Sequence, residues 1–283
     1  MIDLWQAIAA VSVTSLVAAL LAFRWTPLDR QRQMLIITFA TAGMFAFLFY
    51  AAGRLYWAVL IPDSAAIIWS NGTPLLAGIA AGVFARMADT PRWRRVGLSS
   101  ALAATGVAAV LWPLLNLWLR PPPPGGDVWE HGVALQTGWA TCSPAAAATF
   151  LSAGGIRVSE SEMVPRCLTD ARGTPTLGLY RGLKVTAQQH SRDVEAVRLG
   201  LDDLLSSQQF PIFVLVKLPE SGVEDSRYES NWGWVPGLGH SVVVLGKDYG
   251  DNILIGDPAV GLESWTRQDL EVLWHGDAIR FLP

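Results

Sequence analysis

Charge is scarce in this chain of 283 residues: Asp, Glu, Lys and Arg make up only 16% of it, where a soluble domain carries about a quarter. With 51% hydrophobic residues and a mean hydropathy of +0.32, that shortage predicts membrane segments before any window is read. The formal net charge of −3 offers no basic footprint for a nucleic-acid partner. Cysteine is nearly absent. Cys142 and Cys167 are too few for a disulfide framework, and among them and the four His there is neither a Cys-x-x-Cys pair nor zinc-ligand spacing. No Walker A loop and no Gly-x-Gly-x-x-Gly turn occurs. The sequence therefore predicts a protein with no metal and no cofactor.

What is plentiful is long apolar sequence. Four runs, Leu4–Phe23, Met34–Ala52, Ala65–Phe84 and Val96–Leu119, approach or exceed the ~20 residues that cross the hydrocarbon core as a helix. No basic residue precedes the first run and Arg24 follows it, so it reads as a retained span and not as a signal peptide. Arg24, Arg30 and Arg32 lie between the first two spans, and Arg86, Arg92, Arg94 and Arg95 between the last two; only Arg54 and Arg120 lie on the other side. The positive-inside rule then predicts a multi-pass protein of the cell (inner) membrane whose N-terminus and C-terminal half face outside. Trp5, Trp25, Trp57, Trp69, Trp93, Trp112 and Trp118 mostly sit near span ends, as an interfacial belt does. Gly78 and Gly82 form a Gly-x-x-x-Gly pair, read here as helix packing, as is Asn116. The spans carry no interior carboxylate or lysine of the kind an ion or proton path requires. Residues 1–120 are thus expected to be a membrane anchor in contact with the lipid bilayer.

Arg120-Pro-Pro-Pro-Pro-Gly-Gly-Asp127 marks the boundary. A stiff proline run ended by a glycine pair reads as a short spacer, residues 121–127, holding a domain of residues 128–283 off the bilayer. In that domain Pro144–Ala153 predicts a helix. Ser159-Glu160-Ser161-Glu162 predicts the capped start of a second, running towards Cys167, and Thr176–Leu183 and Leu201–Ser207 predict two more. Short β-rich runs follow at Pro211–Leu218, Ser241–Leu245, Ile253–Ile255 and Ala278–Leu282. Helices first and strands second is the order of an α+β domain. Between Pro219 and Gly239 runs a polar loop whose Trp232 and Trp234 are candidates for the rim of a binding groove.

The chemistry begins at Gln136-TGWAT-Cys142. Cys142 stands at the start of an Ala-rich helix, with Pro144 in the first turn, where a missing amide hydrogen costs nothing. Free amides and the helix dipole there favour an anion, which makes a thiol more acidic and a better nucleophile near neutral pH. Gln136 is close enough along the chain for its amide to donate to whatever Cys142 attacks. His240 opens one strand and Asp257 ends another, and a hairpin turning at Asp248-Tyr249 would make them cross-strand neighbours. That is how a general base and its orienting carboxylate are placed. His131, His190 and His275 match no motif.

From Gln136 onward the chain resembles the double-glycine-leader, bacteriocin-processing peptidases, a family of papain-like cysteine peptidases. The matching stretches are Gln136-TGWAT-Cys142 with its helix, Gly173-TPTLGLYRGL, Gly239-His240-SVVVLG and Ile255-Gly256-Asp257-Pro258-AVG. The membrane half has no part in the resemblance. It implies a papain-like α+β fold, Cys142 as nucleophile and His240 as base and then acid. It further implies Asp257 holding the imidazole, and Gln136 with the Cys142 amide as oxyanion donors. The implied partner is a polypeptide, exported or membrane-associated, cut after small residues. Well-known family members carry the domain in the cytoplasm ahead of about six spans and an ATPase; here it follows four spans, and a separate export machinery would have to supply any energy. Two other readings stay open at this stage: a peptide-binding module that does not cut, and a thiol amidase or acyltransferase acting on the cell envelope. Cys167 reads either as a small core residue or as an oxidation partner that would silence Cys142.

Overall fold

The computed structural model describes residues 1–220, 234–248, 250 and 252–282. The chain forms two compact units: Met1–Arg54 with Ala65–Leu115, and Leu55–Ser64 with Asn116–Pro283.

The first unit is helical. It contains α1 (Ile2–Trp25), α2 (Arg30–Ala46) running into a π-turn at Phe47–Ala51, and, numbering in chain order with α3 in the other unit, α4 (Ala66–Trp69), α5 (Thr73–Arg86) and α6 (Arg92–Leu119). Four stretches, Ile2–Trp25, Arg30–Ala51, Ala66–Arg86 and Arg92–Leu119, are long and apolar enough to cross a membrane. Their large side chains, among them Leu16, Leu20, Phe39, Phe45, Phe49 and Val107, lie exposed, as lipid-facing residues do. The glycine pair does what its spacing suggests: a Cβ on Gly78 or Gly82 would collide with the backbone carbonyls of Ser15 and Ala19 on α1. Only glycine lets α1 and α5 approach so closely. Arg86 closes the end of α1 by donating to the carbonyls of Phe23 and Arg24 at 2.6 and 2.7 Å, the cation at a helix C-terminus that the dipole favours.

The second unit is α+β. Its strands are β1 (Val128–Glu130), β2 (Val133–Leu135), β3 (Val194–Arg198), β4 (Ile212–Lys217), β5 (Gly239–Lys247), β6 (Ile253–Asp257), β7 (Gly261–Trp265) and β8 (Trp274–Phe281). The last six make one sheet in the order β3-β8-β4-β5-β6-β7, every pair antiparallel; β1 and β2 form a separate hairpin. Its helices are α3 (Tyr56–Leu60), α7 (Cys142–Ala153), α8 (Glu160–Arg166), α9 (Thr176–Gln189), α10 (Leu201–Ser206) and α11 (Arg267–Leu273). The short α3, from the stretch between the second and third spans, packs on β3 and α9.

Strand alternation divides the core. Ile212, Val214, Val216, Val242 and Val244 belong to a cluster with Trp265, Leu270 and Leu273, while Phe213 points the other way onto Phe150 of α7, ring centroids 6.2 Å apart. Residues Ser143 to Leu151 of α7 are all buried. A helix apolar on every side belongs inside a domain, and four consecutive alanines, the best helix formers, let neighbouring elements close upon it. Thr149 accepts the Ala134 amide at 2.8 Å, which fastens β2 to α7. Phe281 of β8 stacks on Phe150 at 4.5 Å and 7°.

Several boundaries differ from the sequence expectation. The third predicted helix continues past Leu183 to Gln189 because Lys184 is not a surface residue: its ammonium is buried on Asp193 at 2.8 Å and on the Val194 carbonyl at 3.1 Å. The strands β3 and β7, the hairpin β1–β2 and the helices α3 and α11 go beyond what the sequence pattern predicts. Residues 121–127 lie against the domain as well: the Arg120 carbonyl accepts from the Ala171 amide at 3.3 Å and the Gly126 carbonyl from the Ser161 amide at 3.0 Å.

Candidate active site

The first helical residue of α7 is Cys142 itself. The turn before it is closed by Thr141, buried, whose hydroxyl donates to the Gly138 carbonyl at 2.9 Å and accepts the Gly138 amide at 3.1 Å. The thiol thus stands at the end of a helix whose first amides have no intrahelical partner, and it is partly exposed.

His240 is the second residue of β5 and Asp257 the last of β6. The ladder pairs Val243 with Gly256, so its next step sets Asp257 beside Val242, with His240 one diagonal away. Strict midpoint pairing would set the two residues directly opposite; the hairpin instead closes nearer Gly250, with Lys247 opposite Ile253, and a bulge between Val244 and Gly246 takes back only part of that offset. His240 Nε2 meets Asp257 Oδ1 at 2.8 Å, and both side chains are shut off from solvent. With Nε2 committed, Nδ1 is buried and makes no hydrogen bond among the described residues. The electrostatics agree. Burial alone would push the Cys142 thiol up, but the neighbouring His240 outweighs it, Ser143 adds to the effect, and the thiol is held below its ordinary value. Burial alone would lower His240, but the charge and hydrogen bond of Asp257, then Cys142, raise it to about 10. A thiolate beside an imidazolium is the resting state these shifts favour.

Gln136, 5% exposed, lies at the end of β2. Its backbone amide donates to the Pro258 carbonyl at 2.8 Å, tying it to the residue after Asp257. Its side-chain nitrogen donates to the Gly138 carbonyl at 3.1 Å and keeps a second hydrogen.

Three residues at the site escaped the sequence. Trp234, proposed above as a groove rim, is instead 3% exposed: its indole donates to Asp257 Oδ2 at 2.6 Å, and its ring lies 4.5 Å from that of His240. Asp257 thus accepts from Trp234, His240 and the Ala259 amide. Trp232 and Tyr249 lie outside the described residues. Ser143 and Ser241, the residues after Cys142 and His240, share a buried hydrogen bond of 2.8 Å that clamps α7 to β5 next to both groups. Nothing local signals these pairings, since an aromatic in a polar loop and two serines have many ordinary uses. Cys167 is fully buried between α8 and α9, where burial pushes its thiol up to about 12. That is the setting of an inert core cysteine and not of an oxidation partner. His131 sits by Glu130 on an exposed turn, and His190 bonds the Thr186 carbonyl at 3.0 Å.

Neither a protein-family model nor a curated protein matches the chain. Solved structures do. The peptidase domain of Streptococcus ComA, a bi-functional ABC transporter involved in a quorum-sensing pathway, is similar at 21% identity and a TM-score of 0.42, covering 54% of this chain and 99% of that one. The peptidase domain of Streptococcus mutans ComA gives 20% identity, a TM-score of 0.37, 54% of this chain and 100% of that one. A double glycine motif protease from an AMS/PCAT transporter, solved in complex with its leader peptide, gives 16% identity, a TM-score of 0.40, 58% of this chain and 95% of that one.

Proposed function

We propose that this protein is a membrane-anchored cysteine peptidase that cuts exported or membrane-associated polypeptides. The observation that carries the reading is the thiol of Cys142 at a helix start, coupled to an imidazole whose far nitrogen is held by a buried carboxylate at 2.8 Å. In the reaction the Cys142 thiolate adds to the peptide carbonyl. The oxyanion that forms is met by the free hydrogen of the Gln136 amide and the backbone amide of Cys142. The His240 imidazolium protonates the departing amine, leaving a thioester on Cys142, and neutral His240 then takes a proton from the water that hydrolyses it. Asp257 fixes the ring so that Nδ1 faces the sulfur, and Trp234 fixes Asp257. One oxyanion donor of this kind is worth about 3 kcal/mol of transition-state stabilisation.

The peptidase unit stands outside the cytoplasm in this reading. Leu55–Ser64 and Asn116–Pro283 belong to one compact unit, and two membrane-crossing stretches lie between them, so both segments emerge on the same side. The arginine-rich loops after the first and third spans assign the other side to the cytoplasm. A reporter fused after Arg120 that works only in the cytoplasm would reverse the assignment.

The direct test is labelling of the purified protein with a thiol-reactive peptide epoxide, located by mass spectrometry. Modification at Cys142 that is lost in His240→Ala, together with loss of cleavage in Cys142→Ala, is the expected result. Absence of labelling in reduced protein, or proteolysis unchanged in Cys142→Ala, would refute the reading.

A further inference from the structure

Glu160, the first residue of α8, is a carboxylate only 1% exposed, and none of its bonds serves its own helix. Its oxygens accept the Thr137 amide at 2.9 Å, the Thr137 hydroxyl at 2.7 Å and the Gly126 amide at 2.6 Å. A buried charge is tolerated only when fully hydrogen-bonded, and these donors come from two segments that matter. Thr137 follows Gln136 directly. Gly126 belongs to the Pro/Gly linker, residues 121–127, that follows the fourth candidate span. The same linker lies over the loop on the way to Cys142: a Cβ on Gly126 would stand 2.5 Å from the Thr137 methyl, and one on Gly138 would stand 3.4 Å from Pro123. Gln136 itself is held by its bonds to Pro258 and Gly138, both made through this loop or its neighbour.

We infer that Glu160 is a positioning residue for the oxyanion donor, and that through it the linker from the last span is a working part of the active site. The linker amide and the Gln136–Thr137 loop hang on one carboxylate, so moving the linker moves the donor. The inference rests on the peptidase reading above and deepens it: acyl transfer becomes dependent on linker placement while thiolate formation does not, because Cys142, His240 and Asp257 make no bond to Glu160.

Two small probes separate these steps in the full-length protein. Iodoacetamide is attacked by the thiolate with loss of iodide and forms no oxyanion. p-Nitrophenyl acetate is attacked at its carbonyl, passes through a tetrahedral oxyanion, and expels p-nitrophenolate to leave an acetyl thioester. Glu160→Gln keeps the shape but turns an amide NH2 towards N–H and O–H donors. It is expected to slow acylation ~10- to 100-fold, no more than Gln136→Ala does, while alkylation stays within about twofold of wild type. The two losses should not multiply in the double variant, since both act on one donor. Thr137→Val, which removes one donor and keeps the volume, should slow acylation a few-fold, and Gly126→Ala should do so from the linker side; both serve if Glu160→Gln fails to fold. Equal slowing of both probes, unchanged acylation in all three variants, or multiplying losses with Gln136→Ala would overturn the inference. A wild type that alkylates quickly yet is not acylated would instead overturn the acyl-transfer reading of the site.

Discussion

Replacing Asp257 by Asn tests whether the buried carboxylate sets the chemistry of Cys142 or merely fills space. Asn has the same shape, so the Ala259 amide and the His240 Nε2 hydrogen can still point at its oxygen. Its NH2 must then face the indole N–H of Trp234, which stands at 2.6 Å from Asp257 Oδ2. A charge-assisted bond is lost and a buried donor is left facing another donor, a loss of about 2–4 kcal/mol of stability. Removing the indole donor with Trp234→Phe relieves that conflict. The phenylalanine change should therefore cost at least ~1 kcal/mol less in the Asp257→Asn background than in wild type, a coupling that a double-mutant cycle reads directly. The effect on reactivity has a definite sign. Asp257 raises His240 against the pull of burial, and His240 lowers Cys142 against the push of burial. Without the charge, burial wins at both: His240 falls and the thiol rises. Each unit of rise removes tenfold of the thiolate at a pH below the thiol's own pKa, so iodoacetamide alkylation at pH 6 should slow by ~10-fold or more, while the rate at high pH recovers. Thermal unfolding and a pH series of alkylation measure the two consequences separately. A lower melting temperature with an unmoved alkylation profile would show that Asp257 is structural only. Strictly additive costs for the two substitutions would show that the Trp234 bond does not restrain it.

On the peptidase reading, the same shifts set the pH dependence of cleavage. The acid limb comes from protonation of a thiolate held below the ordinary thiol value and the alkaline limb from loss of the imidazolium proton near pH 10, so cleavage should set in at a lower pH than an ordinary thiol allows and fall off towards pH 10, and the alkylation profile of His240→Ala should move to higher pH. Ser143→Ala removes both the clamp to Ser241 and a donor to the sulfur; the alkylation profile should shift to higher pH, whereas Ser241→Ala should loosen the clamp with a smaller shift, as parallel stopped-flow series would show. Cys167→Ala should leave labelling confined to Cys142 and cleavage unchanged, with a modest loss of stability on the order of 1 kcal/mol from the vacated volume; a large loss of activity would restore a functional role to that thiol.

What could be read from the sequence was whatever is decided locally. Cys142 before an alanine run, Ser159 with Glu162 as a capping box, and His240 at the head of a β-rich run all state their structure within a few residues. The spans are legible for the same reason, since lipid imposes its demand on every residue in turn. What could not be read was decided by packing between distant segments. Glu160 looked like one more acidic residue in a helix start, yet its partners lie 23 and 34 residues away. Trp234 finds Asp257 across 23 residues, and Ser143 finds Ser241 across 98. Lys184 looked like the polar end of a helix because its counter-ion, Asp193, lies beyond a turn that sequence does not define. In each case the partner of a polar side chain lies far along the chain, and the physical reason it went unread is common to all. Burial of a polar group is permitted only where donors and acceptors are complete, and completeness is a property of the fold. The candidate groups could be picked out because the chemistry proposed for them restricts them to few residue types, whereas the groups that hold them in place can be any residue able to complete the bonds. The supporting shell is therefore where the structure adds most, and in this chain its bonds run from the loop beside the candidate site, through Glu160, to Gly126.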